Sequence, residues 1–305
     1  MLKLIIGIIL VGISLWTGSA IISLLLGIVF SLSLSLPNDF ITKSAGTKFL
    51  QVGIVTLGLT ISLTKAFAVT GGYLPYISLL VVTVFFGGIY IGKLIGVDKK
   101  LTLLIVSGAA ICGGTAIAAV APIIKAKPKD VLTAITIIFL LNAVAIVVFP
   151  VFGNYIGMGQ DQFGAWAAMS IHDTSSVIGA AMLFGEDAVE TAATLKLGRT
   201  LWLIPLVIYL SSQYHDKKST NIKLPIFVLF FIAAILLGTY LNFNEQNLTY
   251  LKLASQSFLL VGLFCIGTQI NKESLGSISS RTLVLALILW ALVIPSSYFM
   301  IMTII

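Results

Sequence analysis

Charge is the scarcest commodity in this 305-residue chain: only 10% of its residues are Asp, Glu, Lys or Arg. Soluble domains carry roughly a quarter. Too few polar side chains remain to cover a globular surface in water, so a soluble enzyme or binding domain is excluded, and the apolar excess must face lipid. Histidine occurs twice, which leaves no His/Glu cluster for a metalloprotease. Cysteine also occurs twice, at Cys112 and Cys265, each inside an apolar run. That pattern supports neither a disulfide framework nor a thiolate metal site, and Cys112 reads as a small hydrophobe. No Walker A sequence and no Ser-His-Asp arrangement is present, so primary active transport is disfavoured and the chain does not read as an enzyme; no cofactor is implied. Low-complexity tracts and long polar linkers are missing as well.

What the chain has in quantity is hydrophobic residues, 58% of the total. Runs such as Leu24–Phe30 and Ile135–Val151 are continuous rather than alternating. They therefore fit membrane helices of about 20 apolar residues and not the strands of an outer-membrane barrel. Apolar segments fall at 4–17, 20–36, 49–64, 74–97, 101–124, 131–152, 164–184, 192–213, 224–241, 251–270 and 282–303, with the longest polar gap at Pro37–Lys48. The expected fold is an all-α membrane protein of nine to eleven hydrophobic segments in one domain, 1–305. Residues 1–36 form an N-terminal helical hairpin, 49–152 a first half and 164–303 a second. Met1–Ala20 has the layout of a signal peptide, but a second apolar run begins at Ile21 without a polar gap, and a retained hairpin is the expected reading.

The net charge of +7 fits loop lysines held on the cytoplasmic side of an inner membrane, and no nucleic-acid partner is expected. If all eleven segments cross, eleven Lys and Arg fall on the N-terminal side and five on the other, with Lys125, Lys127 and Lys129 misplaced. If 101–124 and 164–184 instead enter and leave by the same face, the distribution becomes fourteen to two. Both segments are interrupted, by Cys112-Gly113-Gly114-Thr115 and by His172-Asp173-Thr174-Ser175-Ser176. Unwound backbone at membrane depth survives only where protein or a wet cavity satisfies it. Two discontinuous segments are therefore expected, either re-entrant hairpins or broken crossing helices.

Phe49–Ile61 reappears as Phe258–Ile270, with Phe, Leu, Val, Gly, Gly and Ile matching at one offset. This is the pattern of an inverted-repeat secondary transporter, whose site lies where the repeats meet. The order is awkward, since the first copy precedes its broken segment and the second follows its own.

Ionisable groups within membrane segments are costly and usually functional. Asp173 and His172 could hold a proton or cation, or Asp173 could simply cap a half-helix beginning at Thr174. Lys196 and Arg199 share one helix face and suit an oxoanion; an ion pair with Asp173 or snorkelling of Lys196 are the alternatives. Gly113, Gly114 and Thr115 offer backbone amides and a hydroxyl, against close helix packing as the plainer reading. Gln51, Asn142, Gln256, Gln269 and Asn271 are weaker candidates to line a cavity, and His215 lies in a basic stretch.

Four stretches carry a family resemblance: Ile111–Pro122, Ile171–Ala181, Lys196–Pro205 and Gly262–Asn271. Their order and spacing resemble the bacterial sulfate-exporter family of multi-pass membrane proteins. Leu57–Leu63 and the Gly-Gly break also look like segments of bile-acid and arsenite-type carriers, although Ser175-Ser176 is richer in hydroxyls than the family pattern. The resemblance implies a secondary transporter with an inverted-repeat core, exporting a small sulfate- or sulfonate-like anion with a proton or sodium ion as coupling partner. A cation-coupled organic-anion carrier and a passive anion channel are the alternatives, and a homo-oligomer is compatible with either.

Overall fold

The computed structural model describes residues 2–34, 36, 40–214, 226–268 and 279–304; Gln269, Asn271 and His215 lie outside this set. The described residues form helices and no strand. In chain order the helices are α1 (Leu2–Thr17), α2 (Ala20–Leu34), α3 (Ile41–Gly58), α4 (Leu63–Ile95), α5 (Lys99–Ala110), α6 (Gly114–Ile123) and α7 (Pro128–Tyr155). They continue with α8 (Gln160–Ser170), α9 (Thr174–Met182), α10 (Glu186–Thr200), α11 (Leu203–Tyr214), α12 (Ile226–Leu241), α13 (Glu245–Gly267) and α14 (Ser280–Ile304). Five spans are long and apolar enough to cross a membrane by length and composition: α4, α7, α10 with α11, α13 and α14. The protein is an all-α, multi-pass membrane protein.

Three boundaries differ from the hydropathy reading, each for a local reason. Helix α3 begins at Ile41 and absorbs most of the expected 37–48 loop, because its polar first turns pack on α13: Thr42 and Thr268 hydroxyls lie 2.7 Å apart, and Gly46 sits against Cys265. Helix α4 begins eleven residues early, where the Ser62 hydroxyl caps the amide of Lys65. The acidic run Glu186–Glu190 belongs to the start of α10 rather than to a loop, with Glu186 and Asp187 in its first turn, where the helix dipole favours negative charge.

Both interrupted segments are re-entrant. Lys100 Nζ, at the start of α5, donates to the carbonyl of Lys125, just past α6, at 2.8 Å. A segment crossing straight through would hold these ends some 30 Å apart. Likewise Gln160 Oε1, at the start of α8, accepts from the amide of Asp187 at 3.0 Å, and the Phe163 and Phe184 rings stack at 3.9 Å. Arms of 9 to 12 residues reach about 14–18 Å, half the depth of a hydrocarbon core. Helix α7 runs the full thickness from the mouth of the first hairpin to the mouth of the second, so they open on opposite faces and meet at mid-depth. One face carries Lys93, Lys99, Lys100, Lys125, Lys127, Lys129 and Arg281; the other carries Lys65 and Lys252 among Glu186, Asp187 and Glu190.

The helices group into two bundles. Helices α4 to α11 with α14 enclose the hairpins; α1, α2, α3, α12 and α13 form the second bundle. The seam between them is narrow, made by α9 against α13 and α2 and by α12 against α4. Leu24, Leu260 and Leu263 meet Ile146 there, and Lys252 of α13 reaches Glu186 Oε2 across it at 2.9 Å. Lipid is as apolar as leucine, so close packing rather than the hydrophobic effect holds such helices together. The hairpins accordingly present alanines, with Ala109, Ala110, Ala116, Ala165, Ala167 and Ala168 all buried.

Within the second bundle the two echoed segments lie against each other, antiparallel. Phe49 and Phe258 stack at 6.3 Å. Gly53 packs on Leu259 and the carbonyl of Ser255, while Gly262 packs on Leu50 and Gly46 on the carbonyl of Gly262. Exchanging each residue for its counterpart in the other copy converts one pair of contacts into the other.

Candidate functional site at the hairpin tips

The first tip forms because Gly113 can adopt φ +62°, ψ −125°, a backbone state closed to residues with a side chain. This reverses the chain between α5 and α6. The second forms where Ile171 is extended and Asp173 caps α9, its Oδ2 accepting from the amide of Ser175 at 3.0 Å. The tips touch: a Cβ built on Gly113 would stand 3.1 Å from the Cβ of Asp173. The N-cap residues of α6 and α9 are thus in contact at mid-depth. Asp173 caps α9, whereas no side chain caps α6. The leading amides of a helix have no intrahelical acceptor. Those of Gly114 and Thr115 therefore form an open donor pair, with Gly114 half-buried and Thr115 exposed, while the buried Ala116 amide faces the Cys112 sulfur. Beside it, Asp173, Thr174 and Ser175 are half-exposed and Ser176 is buried.

Lys196 and Arg199 are brought to the same tips, in a role the sequence did not suggest. Arg199 Nε donates to Ala110 O and Nη2 to Ala109 O, both at 2.8 Å. Its Nη1 donates to Met169 O at 2.7 Å and to Ala168 O at 3.1 Å. Lys196 Nζ donates to Ile171 O at 2.7 Å and, more weakly, to Ala168 O at 3.5 Å. Both side chains are buried, at 0% and 1% exposure. The carbonyls they meet are the unsatisfied C-terminal ends of α5 and α8. The expectation that the two cations contact an anion directly is therefore revised: their donors are directed at backbone oxygens. Neither pairs with Asp173 within 4.0 Å among the described residues, and Lys196 does not snorkel.

His172 and Asp173 are adjacent without being hydrogen-bonded to each other. The His172 amide donates to Asn142 Oδ1 at 3.2 Å, which brings the weaker candidate Asn142 into the site from α7. Both ring nitrogens of His172 and Nδ2 of Asn142 are buried without a well-formed hydrogen bond, the imidazole having only the Ala109 backbone within reach. Three polar atoms so poorly partnered in one place are unusual for a packed interior and suit a site completed by water or ligand. Gln51 lies half-buried on α3 in the other bundle and makes no side-chain hydrogen bond among the described residues. Gln256 lines a cavity of about 180 Å³ with Glu186, Glu190 and Lys252, on the acidic face and away from the tips. The five carbonyls that receive Lys196 and Arg199 left no trace in the sequence, since any residue supplies a carbonyl.

The family model described as "Conserved hypothetical protein 698" matches residues 2–286. A UPF0324 membrane protein of Porphyromonas gingivalis is 38% identical over 276 residues, covering 89% of this chain and 83% of that protein. One from Bacteroides thetaiotaomicron is 36% identical over 274 residues, with the same coverage. One from Vibrio vulnificus is 35% identical and covers 90% of each chain. No solved structure matches the chain significantly.

Proposed function

The chain belongs to the conserved hypothetical protein 698 family of membrane proteins, and on that premise we propose that it is a secondary transporter moving a small anion, sulfate or a sulfonate, across the inner membrane. The observation that carries this reading is the uncapped N-terminus of α6 at mid-depth, in contact with the N-cap of α9. Helix N-termini are ready anion sites. Here the opposing carbonyl ends, which would repel an anion, are covered by Lys196 and Arg199. An oxoanion at this point accepts from the amides of Gly114 and Thr115 and from the hydroxyls of Thr115, Thr174 and Ser175. The Asp173 carboxylate stands close enough to oppose it. Taking up one proton removes that opposition, which makes Asp173 the group that links anion movement to a proton gradient. His172 and Asn142 supply the further polar atoms lining the site.

The division into two bundles supports a carrier rather than a pore. A site at the meeting point of two oppositely opening hairpins is reached from either face when one bundle moves against the other across the narrow seam. The reciprocal contacts of α3 and α13 support an inverted repeat, and the packing extends the exchange to other elements. Helix α4 lies on the first hairpin as α14 lies on the second; α7 packs on the second hairpin as α11 packs on the first. The repeat units then read α2, α3, α4, hairpin, α7 and hairpin, α10–α11, α12, α13, α14. The second is a cyclic permutation of the first, which accounts for the awkward order of the echoed segments. The basic face is cytoplasmic by the positive-inside rule, with the N-terminus on that side, and export is the direction the family resemblance implies.

Binding is tested by unfolding the purified protein in detergent against a panel of small anions. Sulfate or a sulfonate raises the unfolding temperature of the wild type in a saturable way, and the Thr115→Val, Ser175→Ala variant loses that rise. An equal rise in wild type and variant removes the tips as the site.

A further inference from the structure

We infer that Arg199 and Lys196 are resident cations, occupying the carbonyl cage where a broken-helix carrier would otherwise hold sodium, so that the hairpin tips bind no Na⁺. Carriers built from discontinuous helices commonly coordinate Na⁺ with unwound carbonyls and half-helix C-terminal ends. This protein has both features. The last carbonyls of α5, Ala109 and Ala110, converge with Ala168 and Met169 of α8 and with Ile171 of the second tip. Without water, such carbonyls must find donors or a cation. All five oxygens are taken by side-chain nitrogens, each with a contact between 2.7 and 3.1 Å.

The arrangement is specific to these two side chains. Guanidinium presents its donors in a fixed planar fork, and Arg199 spans both hairpins with it, two carbonyls on each. Lys196, one turn earlier on α10, closes the remaining side at Ile171. A sodium ion entering the cage would have to displace a covalently tethered charge from oxygens already satisfied. The positive charge needed at the tips is therefore permanent, and sodium is removed from the set of coupling ions, leaving the proton. The inference deepens the transport reading and rests on the tips being its site, but its test involves no transport and no anion substrate.

The experiment measures the unfolding temperature of the purified full chain in detergent, in choline chloride and in sodium chloride at equal ionic strength. Wild type is expected to unfold at the same temperature in both. Arg199→Ala is expected to unfold several degrees lower and to recover part of that loss in millimolar guanidinium, which leaves wild type unchanged. Lys196→Met keeps the packed stem and is the variant expected to fold in all cases; it is expected to gain a stabilisation by methylammonium or sodium that wild type lacks. Sodium-specific stabilisation of wild type overturns the inference, and so does a Lys196→Met protein indifferent to every small cation. A wild type blind to sodium but without anion response overturns the transport reading alone; one that answers to both keeps transport and overturns the resident-cation reading.

Discussion

Alanine at position 113 and alanine at position 114 should act in opposite directions, although the two glycines are adjacent and both face the tips. Gly113 sits at φ +62°, ψ −125°, outside every region open to an L side chain. Residues forced into such sparsely populated states cost on the order of 1–3 kcal/mol each. The new Cβ would also stand 3.1 Å from Asp173 Cβ and 3.2 Å from its Cα. The second tip must then retreat, or α5 and α6 must rewind. Gly114 is the first residue of α6 with ordinary helical backbone, and a Cβ there meets only the Phe139 ring, at 3.6 Å, a normal contact. Replacing a glycine that already has compatible angles stabilises by about 0.4–1 kcal/mol through the unfolded chain. The two variants should therefore differ by about 1.5–4 kcal/mol. Thermal unfolding in detergent, followed by tryptophan fluorescence, reads the difference directly. Equal unfolding temperatures, or Gly114→Ala as the less stable protein, would refute the tip geometry.

Other consequences are open to measurement. Single cysteines at Lys99 and Lys127, in a background lacking Cys112 and Cys265, should be labelled by an impermeant maleimide from the same side of right-side-out or inverted vesicles, and cysteines at Glu186 and Gln246 from the opposite side; opposite-side labelling of 99 and 127 would mean a crossing segment. His172→Leu removes two buried ring nitrogens whose only protein partner is the Ala109 backbone, so it should cost little stability while abolishing anion flux. A loss above about 2 kcal/mol would show instead that the ring makes structural hydrogen bonds. Lys252→Met severs the ion pair across the seam, but that pair is partly solvated, and the loss of stability should stay below about 1 kcal/mol. A larger drop in unfolding temperature would make the seam a rigid interface.

Hydropathy disclosed the apolar segments and both interruptions, because Gly113-Gly114 and His172-Asp173 are conspicuous within membrane-length runs. It was silent on whether those segments cross or return. That is decided by two polar contacts, Lys100 to Lys125 and Gln160 to Asp187, between residues the chain separates by about 25 positions. The start of α3 was obscured by Thr42, Lys43, Ser44 and Lys48, which read as loop until α13 supplies small residues against which a polar helix can pack. Lys196 and Arg199 were visible as intramembrane cations. Their partners are main-chain oxygens up to 90 positions away, so composition and spacing pointed to an anion instead. Asn142 ranked low as one amide among several, and gained its place only through the amide of His172.

The central claim, that the meeting hairpin tips carry an anion in a saturable cycle, is tested most directly by counterflow in proteoliposomes. Vesicles loaded with unlabelled sulfate or a sulfonate, diluted into tracer amounts of the labelled anion, should accumulate label transiently above equilibrium. Wild type should do so with a saturable dependence on anion concentration, and Thr115→Val, Ser175→Ala should not. Label that only equilibrates, at a rate linear in concentration and indifferent to these two hydroxyls, would contradict the account and indicate a passive pore.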